Sequence, residues 1–91
     1  MRESDKVMFE IYREASYNRR YTVVYFTELN DHNKESEINR ALMGDHFYDG
    51  FLYESRKEEA KAVIDRALAR LNDGEQVSPE EVERELAEFM A

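Results

Sequence analysis

The stretch MGDHFYDGFLYES, residues 43–55, holds two aspartates, a histidine, four aromatic side chains and two glycines. Two readings of it lead to different architectures. Asp49-Gly50 between HFY and FLY is a hairpin signal, because a type I′ turn needs positive φ at both central positions. The arms would then be very short and would lean on another strand. Alternatively, residues 46–53 form one strand, with Gly50 marking a bulge or a close backbone approach. Either way, a β element runs directly into the helix that follows.

That helix is clearly punctuated. Ser55 and Glu58 have the spacing of a capping box. Ala60, Val63, Ile64, Ala67, Leu68 and Leu71 then recur at helical spacing, and Gly74 supplies a stop. A second helix begins at VSPEEV, with Ser78 as the cap, Pro79 at the first helical position and Glu81 completing the box. Val77 is placed to staple onto Val82.

Upstream, RRYTVVYFTEL is rich in β-branched and aromatic residues, which predicts a strand over 21–29. Tyr21, Val23, Tyr25, Thr27 and Leu29 would line one face. Val7, Met8, Ile11, Tyr12 and Ala15 fall at helical spacing behind Ser4, so a helix is predicted there. Ile38, Ala41 and Leu42, closed by Gly44, predict another within residues 30–43. The predicted order is α-β-α-β-α-α, an α+β fold with a small two- to three-stranded sheet and helices packed on it. Two strands alone are marginal, so a dimer that extends the sheet is expected.

Charge divides the chain. Residues 75–91 carry six glutamates against Arg84, whereas the whole chain has a net charge of −8. Residues 1–74 therefore read as a nearly balanced compact body. Residues 75–91 read as an acidic amphipathic helix, either part of the same domain or a partner-binding arm. On the arm reading, removal of everything after Asp73 would leave a folded body. The acidic balance disfavours nucleic acid, which needs a cationic surface for its phosphates; it favours a basic protein partner. There is no cysteine, which excludes a disulfide framework or thiolate chemistry. The charged N-terminal stretch is unlike a signal peptide, and no apolar run is long enough to span a bilayer, so a cytoplasmic protein without a membrane partner is expected.

Candidate chemistry is sparse. Asp31-His32 and Asp45-His46, with Glu35, Glu37 and Asp49 nearby, offer ligand types that suit zinc or another divalent ion, but in no recognised spacing. Acid–base work by His46 with Asp49 meets a parity problem, because only residues two apart on a regular strand share a side. No catalytic, cofactor or metal residue is therefore assigned, and the stretch at 43–55 reads as a turn or bulge among core aromatics. Tyr21, Tyr25, Tyr48 and Tyr53, with Phe26, Phe47 and Phe51, could form a stacking platform for a single strand. Only Arg19 and Arg20 stand near to serve it, and core packing is the plainer reading.

The terminal helix carries the functional expectation. Val77, Val82, Leu86, Phe89 and Met90 make an apolar stripe, flanked by acids that include Glu81 and Glu85, the pattern of a helix that docks in a partner's groove. The segment from residue 62 to 91 resembles the C-terminal part of small type II bacterial antitoxins of the prevent-host-death and ribbon-helix-helix types. The matching positions are Ile64, Ala67, Leu68, Gly74, Glu75, Val77, Ser78, Glu80, Glu81, Val82 and Leu86. The resemblance implies a tail that wraps and neutralises a small basic toxin. The first 61 residues depart from it and show no usual antitoxin DNA-binding start. The expected function is thus a non-enzymatic regulatory protein acting by protein–protein contact. Two alternatives stand beside it: a phage-type inhibitor or DNA mimic, and a small enzyme or metal-binding protein using His32 or His46.

Overall fold

The computed structural model describes residues 5–15, 19–26 and 44–91. It has an α+β fold: a three-stranded antiparallel sheet with helices on one face. The strands are β1 (Lys6–Glu14), β2 (Tyr21–Phe26) and β3 (Gly44–Tyr53), in the order β2-β1-β3. Two helices follow, α1 (Lys57–Asn72) and α2 (Pro79–Leu86). The helix expected within residues 30–43 lies outside the described residues, as do positions 27–29 of the strand expected over 21–29.

The segment expected as the first helix is instead the central strand. KVMFEIYRE satisfies both periods: Val7 and Ile11 are four apart, but Val7, Phe9 and Ile11 also alternate. A helix would leave Phe9 off its apolar stripe. As a strand, β1 buries all three of these side chains completely and pairs along both edges. Strand propensity is largely a matter of fitting such a half-buried pleated surface. Two partners were waiting for it, and the local ambiguity resolves in favour of the sheet.

The stretch at 43–55 is one strand, not a hairpin. β3 runs unbroken past Asp49 and Gly50, which lie opposite Glu10 and Phe9. Gly50 is a point of close approach: a Cβ there would overlap Met90 Cε and lie 3.3 Å from Phe9 Cε1. The bulge sits three residues earlier. Ile11 faces Tyr48 but Tyr12 faces His46, so Phe47 is an extra residue on β3.

Between strand and helix, residues Glu54–Arg56 form a 3₁₀ turn, and α1 starts at Lys57. The expected Ser55 cap is not made, because Ser55 lies inside that turn and no side chain caps the helix. Arg56 instead holds Glu59 through two hydrogen bonds of 2.8 and 3.0 Å. The other end follows expectation. Gly74, at φ +90°, donates to Leu71 O, and Glu75 donates to Arg70 O. That is the paired bonding of a glycine-terminated helix. Ser78 Oγ accepts from Glu81 N at 3.1 Å, capping α2 behind Pro79.

The core lies between the sheet and the helices. Phe9, Ile11 and Leu52 meet Ala60, Val63, Ile64, Ala67 and Leu71 from α1. Tyr21, Val23, Tyr25, Phe47 and Tyr48 close its sheet side. Asn72 locks β2 to the end of α1 by imitating a neighbouring strand: its Oδ1 accepts from Tyr21 N at 2.7 Å and its Nδ2 donates to Tyr21 O at 3.0 Å. Alternation puts Met8, Glu10, Tyr12, Phe26, Phe51 and Tyr53 on the sheet's other face. No described helix is long and apolar enough to cross a membrane.

Candidate functional site

Two features carry functional groups: the C-terminal helix, and a cluster on the far face of the sheet. The helix is docked on its own body. Val77, Val82, Leu86 and Phe89 are buried in the core cluster, and Met90 packs against it. A 3₁₀ turn over Ala87–Phe89 continues α2, after which Met90 bridges to Leu52 and Ala91 N donates to Phe51 O at 2.8 Å. Residues 75–91 thus share the hydrophobic core of residues 1–74. A role for the stripe in a partner's groove would require its release from that core.

The acidic face turns outward. Arg70 gathers three of the carboxylates, with Glu81 at 2.5 Å, Glu75 at 3.2 Å and Glu85 at 3.8 Å. Hydrogen bonds to Glu81 and Glu75 raise the Arg70 guanidinium pKa above its usual value. Of the expected partner-binding acids, Glu81 and Glu85 therefore already face an internal cation. Glu80, Glu83 and Glu88 are exposed. Glu83 Oε1 accepts from Tyr48 Oη at 3.3 Å, and Glu88 lies 3.7 Å from Arg56. Burial, and then the charge of Glu83, push the Tyr48 phenol up to about 12.

The aromatics do not form one platform. Tyr21, Tyr25, Phe47 and Tyr48 face the core, whereas Phe26, Phe51 and Tyr53 lie on the opposite side of the sheet. Phe51 and Tyr53 are the exposed large apolar side chains of the described residues. Arg19 sits beside Asp45 at 3.6 Å, so this cation already has an acidic neighbour.

The second feature is on that opposite face. Glu10, His46 and Asp49 each direct a donor atom toward the others, with all three atoms within 4.8 Å of one another. His46 Nε2 stands 3.3 Å from Asp49 Oδ2. Glu10 is only 3% exposed, and its Oε1 is buried without a hydrogen-bond partner. The side chains of His46 and Asp49 are 53% and 42% exposed, so the cluster opens outward.

The geometry follows from the bulge. On a regular strand, residues three apart point to opposite faces. The extra residue at Phe47 shifts the alternation by one, as bulges do when they re-aim a side chain. His46 then shares a face with Asp49, and the parity objection to their partnership is removed. Glu10 completes the group as the direct cross-strand partner of Asp49. Sequence reasoning passed over Glu10 because a helical reading of residues 4–15 leaves it on a solvated side. Its one available signal is a carboxylate set between Phe9 and Ile11 in a segment that also alternates like a strand. His32, the other candidate ligand, lies outside the described residues.

The chain matches no protein-family model, no curated protein and no solved structure.

Proposed function

We propose that this chain is a non-enzymatic regulatory protein that acts by binding another, basic, protein, as the small antitoxins it resembles do. The supporting observation is the orientation of α2. Its apolar stripe is anchored in the core, and its exposed carboxylates at Glu80 and Glu83, with Glu88 in the 3₁₀ turn that follows, are therefore held on the outside of the fold. A preorganised charged surface steers an oppositely charged partner and sets register at little ordering cost. On this reading the contact is made by the acidic face, not by the stripe read from sequence. The internal Arg70 cluster keeps that face in place.

The test compares the full-length chain with a Glu80→Gln, Glu83→Gln, Glu88→Gln variant of equal helical content. A basic protein captured from lysate of the source cell is identified, purified and titrated with both by calorimetry. Weaker binding by the variant, with a smaller salt dependence, supports the reading. Equal affinity for both moves the contact away from α2.

A further inference from the structure

We infer that Glu10, His46 and Asp49 form a binding site for a divalent first-row transition cation of the Zn2+ type. This inference rests on other residues than the acidic helix face, and either can fail without the other. The first ground is Glu10. Folded chains keep a buried carboxylate where it is paired, hydrogen-bonded or bound to a metal, because desolvating an uncompensated charge is strongly unfavourable. Among the described residues Glu10 Oε1 has no hydrogen-bond partner, yet the residue occupies the middle of the central strand. His46 and Asp49 meet each other, and Glu10 Oε1 is left without a hydrogen bond among the described residues.

The second ground is geometry. Ligands about 2.0–2.2 Å from a tetrahedral zinc stand about 3.4 Å apart. His46 Nε2 and Asp49 Oδ2 are already 3.3 Å apart. All three donors lie within 4.8 Å of one another, so small side-chain rotations bring the third into range. The backbone beneath them is fixed by pairing of β1 with β3 and by the bulge at Phe47.

The donor set selects the ion. One imidazole nitrogen with two carboxylate oxygens suits zinc and its first-row neighbours, whereas magnesium and calcium take oxygen ligands. Three protein ligands leave a coordination position on the outward side, where His46 and Asp49 are exposed, for water or a small exogenous ligand.

The test is calorimetric titration of the full-length, chelator-stripped protein with ZnCl2 in a non-coordinating buffer. In parallel, the two histidine imidazole signals are followed by NMR. The expected result is one ion per chain, with the His46 signals shifting and those of His32 unmoved. His46→Ala, Asp49→Asn and Glu10→Gln should each raise Kd by at least about tenfold, the loss that even an outer-shell partner brings. His32→Ala should leave Kd unchanged. The NMR arm uses the unaltered chain, so a variant that fails to fold does not blunt the test. No binding, a shift confined to His32, or affinity that survives His46→Ala overturns the site.

Discussion

Cutting the chain after Asp73 asks whether residues 75–91 are an arm or part of the body. The cut removes Val77, Val82, Leu86 and Phe89, each less than a tenth exposed in the core. Full burial of such a side chain is worth about 1.5–3 kcal/mol, so the four together contribute roughly 6–12 kcal/mol. A chain of 91 residues has a total stability of about 5–14 kcal/mol. The removed segment therefore accounts for a contribution as large as the whole margin. The cut would also expose the faces of Leu52, Ile64 and Ala67 that now meet it in one cluster. Fragment 1–73 is expected to lack a cooperative unfolding transition, read by far-ultraviolet circular dichroism against urea. A point version in the full chain is Leu86→Ala, expected to cost about 2–5 kcal/mol and to lower the urea midpoint in proportion. A 1–73 fragment that unfolds cooperatively near the full-length midpoint would refute the shared core and restore the arm.

Three other outcomes are expected. Asn72→Ala should lower stability by about 1–3 kcal/mol, because it removes two hydrogen bonds and strips the edge of β2 at Tyr21; an unchanged urea midpoint would show that water replaces them freely. Glu10→Met in chelator-treated protein should raise the thermal midpoint, since the replacement removes a buried polar atom that lacks a hydrogen bond, and leaving such a group unsatisfied costs about 1–3 kcal/mol; a lowered midpoint would mean that Glu10 is satisfied without metal. Alkaline pH should weaken the fold, because Tyr48, pushed up to about 12 from an ordinary 10.0, keeps its proton when folded after the unfolded chain has lost it. That stabilisation is complete below about pH 10 and is lost as pH rises toward about 12. Tyr25, raised chiefly by burial, acts in the same direction. Urea midpoints that stay flat between about pH 10 and 11.5, or a Tyr48→Phe variant with the same profile as the parent, would contradict this.

Much of the C-terminal half was legible because its signals are local. The Ser78 cap, Pro79, the Gly74 terminator and the apolar stripe of α1 are written within single turns of helix, and the chain obeys them. The β-branched and aromatic run over 21–26 was legible for the same reason, whereas Asp49-Gly50 left a hairpin and a single strand both open, because the close approach at Gly50 is made by Met90 and Phe9, each about 40 residues away. Ser55 shows the limit of such grammar. Its capping spacing is correct, but β3 carries the chain into a tight turn there, and the cap is never made.

The remainder depended on partners distant in the chain. KVMFEIYRE can follow either period, and only its pairing with β2 and β3 makes it a strand. The parity rule for His46 and Asp49 holds on any regular strand, and a single extra residue at Phe47 reverses it. Glu10 becomes a candidate ligand only when β1 lies beside β3. By itself, the sequence determined the two C-terminal helices, the β character of 21–26 and 46–53, and the segregation of acid toward the end of the chain, since each depends on spacing within a few residues. Tertiary structure alone decided that β1 is central, that α2 completes the core, and that a buried carboxylate meets an imidazole. Those outcomes depend on long-range pairing and burial, which favour one of several locally permitted conformations.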